Sequence, residues 1–159
     1  MKTITLTPNK TTTIMRKITL MLFAVLLSLT GYSQNCTELY FSEYIEGSSN
    51  NKGFEIYNPT SSAVSLSGYT IYLSGNGGSF TNTLTSSASI APGDVFVVCT
   101  NQADSLMQYE ADTILGFPSV SHFNGDDALI LFNGTDTLDI IGTPGIDPGS
   151  SWPVGTGST

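Results

Sequence analysis

From Leu39 onward the apolar residues come in short runs, broken by Gly, Pro, Ser and Asn, and no stretch repeats them at helical spacing. Such a pattern reads as many short strands in a sandwich or barrel. The first strand is predicted over Leu39–Ile45, followed by a polar loop, Glu46–Asn51. Alternation places Leu39, Phe41, Glu43 and Ile45 on one face and Tyr40 and Tyr44 on the other. A second strand covers Gly53–Tyr57, with Phe54 and Ile56 on its apolar face, and Asn58-Pro59 stops it. Val64–Gly68 alternates and leads into a third strand, Tyr69–Leu73. Ser74–Gly78 is a turn over which Phe80–Leu84 closes a hairpin. The Pro92-Gly93 turn precedes Val95–Cys99, apolar on both parities and therefore a central strand covered on both faces. Ala103–Tyr109 reads as one or two helical turns, and Ala111–Leu115 carries no clear pattern. Asp127–Phe132 is a second central strand, joined through Asn133-Gly134 to Thr137–Ile141.

The first 33 residues read differently. Arg16 and Lys17 precede a nearly unbroken apolar run, Ile18–Leu29, too short to span a bilayer comfortably. Gly31-Tyr32-Ser33 offers small residues for cleavage after Ser33. This predicts an export signal over residues 1–33, with Met15 as an alternative start, a linker at 34–38, one domain at 39–155 and a tail at 156–159. The alternative is a retained anchor. Asn35 before Cys36 does not suit lipid modification of that cysteine.

Export changes the charge argument. Four of five basic residues lie in the leader, and all thirteen acids follow it, so the mature charge is 1 − 13 = −12. Lys52 is the one remaining cation. Binding to a phosphate backbone rests on Lys and Arg, so direct nucleic-acid binding is not expected, nor binding to an anionic membrane. The mature length, 159 − 33 = 126 residues, suits one domain. Cys36 and Cys99 could pair in an oxidising compartment. That bond would be worth about 4 kcal/mol in the chain-entropy model. The alternative is a buried thiol and a terminal one that never meet.

Several motifs occur together in order. They are FSEYIEGSSNNKGFEIYNP at Phe41–Pro59, LSGY at Leu66–Tyr69, APGDVFVV at Ala91–Val98, FNGDDALILFNG at Phe123–Gly134 and DPGSSW at Asp147–Trp152. With them, Leu39–Val154 resembles the lamin-tail domain, in the secreted bacterial form carried beside extracellular nucleases and phosphatases. The resemblance implies an all-β, immunoglobulin-like antiparallel sandwich. It also implies an attachment module for an unknown surface or polymer ligand, exported to the medium or cell surface, with a fused or adjacent hydrolase as partner. Secreted members usually continue into another domain, so a chain ending at Thr159 reads as a fragment or as a lone domain.

Candidate chemistry is sparse. Asn124, Asp126 and Asp127 crowd one turn around Gly125, and hard oxygen ligands on a loop suit calcium, with Glu46 or Asp147 as distant ligands. Turn chemistry is the alternative. No other cofactor is implied. Glu43 falls on the apparent core face, where an unpaired carboxylate is costly. Either a bulge turns it outward, or Lys52 pairs with it or with Glu55 across the strands. Tyr40, Tyr44, Tyr57 and Tyr72 fall on outer parities and could stack on sugar rings, or simply stabilise the sheets. A Ser121-His122-Asp126/Asp127 triad is disfavoured, because triads draw on separate elements and no G-x-S-x-G elbow is present. Gly75–Gly78 reads as a hairpin turn rather than a phosphate cradle, which needs a helix behind it. Paired acids such as Glu43 and Glu55 would serve a glycosidase only within a cleft. The glycosylation sequons at Asn35 and Asn133 carry no meaning in a bacterial protein, and Trp152 is expected to cover one end of the sandwich.

Overall fold

The computed structural model describes residues 37–153. Ten strands and one short α-helix follow in chain order, of which β6 and β8 fall outside the predicted strands: β1 Tyr40–Glu46, β2 Lys52–Tyr57, β3 Val64–Ser65, β4 Thr70–Ser74, β5 Phe80–Leu84, β6 Ser89–Ile90, β7 Val95–Thr100, α1 Ser105–Glu110, β8 Thr113–Leu115, β9 Ala128–Phe132 and β10 Thr137–Ile141. They form two four-stranded sheets, β1-β2-β7-β8 and β10-β9-β4-β5, with a small β3-β6 ribbon. Phe54, Ile56, Phe96 and Val98 from the first sheet meet Ile71, Leu73, Leu129 and Leu131 from the second in one buried core. Alternation with period two supplies these residues from each strand, and the result is an immunoglobulin-like β-sandwich.

Local chemistry ends the elements where the pattern breaks. Asn58, fully buried, closes β2. Its carboxamide donates to the carbonyls of Ser62, Ile90 and Ala91 and accepts from the Thr60 N–H and hydroxyl. The side chain that stops one strand therefore holds the turn after it and the end of β6. Asp104 caps α1, accepting from the N–H groups of Leu106 and Met107.

Three details depart from the strand pattern. Val95–Cys99 lies inside a sheet as expected, with Phe96, Val98 and Cys99 buried, while Val95 and Val97 are half-buried. The unassigned Ala111–Leu115 contributes β8, which pairs parallel to β7 after the crossover that carries α1. The third is a bulge in β1 between Phe41 and Glu43. An extra residue reverses the parity of everything after it. Phe41 packs edge-to-face on Phe54, as the alternation requires, at 5.6 Å. Beyond the bulge Tyr44 turns inward instead, and Glu43 turns out to solvent. A matching irregularity in β10 lies between Thr137 and Asp139. There the Asp139 carboxylate accepts the Phe41 N–H at 2.8 Å, tying the two edge strands together.

Candidate functional site

The turn between β8 and β9 gathers most of the polar chemistry of the domain. Asp127 is buried, and both its carboxylate oxygens are engaged. One accepts the Asn124 N–H at 2.7 Å and the other the Asn76 N–H at 2.7 Å. The first bond closes the turn; the second ties it to the Gly75–Gly77 turn between β4 and β5. That glycine-rich turn is thus a hairpin connection, as the sequence indicated. Lys52, on β2, extends its ammonium to the Phe123 carbonyl, to Asn124 Oδ1 at 2.9 Å and to Glu46 at 3.4 Å. Tyr44 stacks on Phe123 at 4.4 Å and donates to the Asn124 carbonyl at 3.1 Å. Burial, then the charges of Glu46, Asp127 and Asp126, hold its hydroxyl protonated far above the usual range. The Trp152 indole N–H reaches the Asp127 carbonyl at 2.8 Å, so the tail folds back onto the same turn. Gly142, at φ +78°, makes room for that indole, with which a Cβ would collide.

This geometry bears on three expectations and overturns the one that paired Lys52 with Glu43 or Glu55. The calcium set does not converge: Asp127 is spent on backbone donors, Asn124 on Lys52, Glu46 on Lys52, and one oxygen of Asp147 on the Gly149 N–H. Asp126 alone of the three turn residues has no such commitment, and no cluster of His, Cys, Asp and Glu able to hold a metal occurs among the described residues. Lys52 pairs with neither Glu43 nor Glu55. Its carboxylate partner is Glu46, because the bulge carries Glu43 outward, and Glu55 accepts from the Ser42 hydroxyl. The four tyrosines do not form one row. Tyr40 and Tyr57 meet edge-to-face on the outside of the first sheet, at 5.6 Å. Tyr44 lies inside, and Tyr72 lies on the outside of the second sheet.

The remaining candidates are resolved by position. His122 Nδ1 is 2.7 Å from the Ser119 hydroxyl, which is 3.0 Å from that of Ser121. No Asp126 or Asp127 contact completes a triad, since Asp127 is engaged elsewhere. His122 Nε2 is buried with no hydrogen-bond partner among the described residues. Burial, and then the Lys52 charge, lower its pKa. It borders a pocket of about 190 Å³ with Lys52, Phe117 and Asn124. Glu43 and Glu55 face each other across β1 and β2 on an outer sheet face. Cys99 is buried, and burial raises its thiol pKa. Its pairing with Cys36 lies outside the described residues, as does the export signal.

The sequence reading missed the surroundings of Tyr72. Phe80 lies 5.0 Å from its ring and Phe132 6.2 Å away. With Ile130 and Thr137 they line a concave site of about 270 Å³ on the outer face of the second sheet. Two signals could have found it: β9 is apolar on both parities, and no charged residue lies between Glu55 and Asp94.

No curated protein matches the chain. A family model, Lamin Tail Domain, matches residues 32–144, which hold every strand described above. With that match over most of the chain and an immunoglobulin-like sandwich, the chain belongs to the lamin-tail-domain family.

Proposed function

We propose that this chain is a secreted, non-catalytic binding or targeting module, accessory to an extracellular nuclease or phosphatase domain. One observation carries the reading. Asp127, Asn124 and Lys52 are spent on holding the fold, while an aromatic sheet face without charged residues stays open. A module that holds its partner enzyme on a surface needs such a face and no active site. Its ligand is not a nucleic acid: the described residues hold thirteen acids, and their single cation, Lys52, is 7 % exposed.

A reporter fusion tests this. The full chain is joined to a phosphatase that lacks targeting of its own and is expressed in the producing cells. Activity retained on the cell surface or extracellular polymer is expected, with the mature N-terminus at Gln34. Activity that stays inside the cell, or that is released freely, overturns the proposal.

A second reading, a free-standing carbohydrate adhesion domain, is favoured by the aromatic site around Tyr72. Its calcium-dependent form would have to rest on Asp126, since Asn124, Asp127 and Glu46 already hold partners.

A further inference from the structure

We infer that the outer face of the β10-β9-β4-β5 sheet is a binding site for a neutral polysaccharide. This rests on the binding-module reading and names its ligand class. The two outer faces of the sandwich differ in kind. That of the first sheet carries Glu43 and Glu55 side by side. That of the second presents Tyr72, Ile130, Phe132 and Thr137 in register, with Ile140 beside Ile130 and Thr83 beside Tyr72, and no charge.

The face keeps two large apolar side chains in water. Phe80 is 53 % exposed and Ile140 44 %. Single exposed apolar side chains are ordinary, but Phe80 and Ile140 stand on one sheet face with Tyr72 and Ile130 between them. Aromatic pairing across strands stabilises a sheet by burying rings, but Phe80 leaves half its surface in water. The three rings are not coplanar: Phe80 is inclined to Tyr72 by 40° and Phe132 by 65°. They line a hollow together with the nearly buried Ile130 and with Thr137. A sugar ring matches this shape chemically. Its C–H faces would pack on the aromatic side chains, and Tyr72 and Thr137 are the lining residues with hydroxyls to offer its own.

Charge selects among occupants. The described residues sum to 1 − 13 = −12. An anionic polymer is repelled, and so is a second copy of the chain, since a large net charge of one sign keeps proteins apart. A cationic partner would seek the acidic surfaces and not the one face without charge. A neutral ligand with apolar faces and hydroxyl edges remains.

The test is native affinity electrophoresis of the chain through gels containing hydroxyethylcellulose, laminarin or glucomannan. Retardation by at least one is expected. Phe80→Ala, at a half-exposed position that leaves the core untouched, should weaken it about tenfold, as expected for loss of one stacked ring. Phe80→Tyr should preserve it, and Tyr40→Ala, on the opposite sheet, should leave it unchanged. No retardation in any of the three gels overturns the inference, and the reporter fusion then decides the module reading independently. Retardation that survives Phe80→Ala also overturns it, while leaving a binding module intact. Sedimentation of the free chain adds one more outcome: a dimer that Phe80→Ala dissociates would make the face a self-interface and overturn the glycan assignment.

Discussion

Lys52 shows how a residue can be noticed for the right reason and assigned the wrong partner. Its isolation as the sole cation after the leader makes an ionic role predictable; which carboxylate it meets depends on a bulge that alternation does not reveal. In the fold it holds the Phe123 carbonyl, Asn124 and Glu46 together at a nearly buried site. Lys52→Met should therefore cost about 1–3 kcal/mol in urea unfolding, since it strands the buried Phe123 carbonyl, while Asn124 and Glu46 stay within reach of water. An unchanged midpoint would mean the contacts carry no net stability. His122 supplies the pH dependence. Its folded pKa lies below the ordinary value of 6.5, through burial and the neighbouring Lys52. Below 6.5 the unfolded chain takes up a proton that the folded chain resists, so stability falls as pH drops through that window. Above it the contribution is fully present. Thermal unfolding between neutrality and mildly acidic pH should show the decline, and His122→Gln should flatten it.

Strands proved easier to place than their faces. Phe80–Leu84 and Thr137–Ile141 have the predicted limits, because Gly-Asn and Asn-Gly turns bracket them and turn chemistry is local. β8 escaped notice because three residues, Thr113–Leu115, are too few to display a period. Glu43 on the apparent core face admits a bulge in β1 as one of two readings, and local sequence does not choose between them. Alternation through Glu43 contains no glycine or proline to mark an extra residue, and the reward for inserting one lies on β10. Asp139→Ala should remove the acceptor of the Phe41 N–H and cost about 1–2 kcal/mol by denaturant unfolding. Asp139→Asn keeps an oxygen there and should cost less than half as much. Equal losses in the two variants would show that charge rather than the hydrogen bond joins the edges.

For the domain as a whole, thirteen acids against one cation imply self-repulsion that salt relieves. Melting temperature should rise from low to moderate sodium chloride. Calcium chloride at matched ionic strength should add nothing, because the turn oxygens are already bonded; a rise specific to calcium, reversed by EDTA, would restore a metal site. The sequence by itself determined the fold class, the number and order of the main strands and the acidic surface. These rest on local turn residues, period-two alternation and formal charge, all written along the chain. Only the tertiary structure decided what the distinctive residues do. The NGDD turn became a junction because Lys52 and Tyr44 from one sheet and Asn76 from the other converge on it. Tyr72 acquired Phe80 and Phe132 as neighbours because β4 lies between β5 and β9. Contacts between residues far apart in sequence depend on strand order and register, and a single inserted residue reverses which side of a strand meets the core.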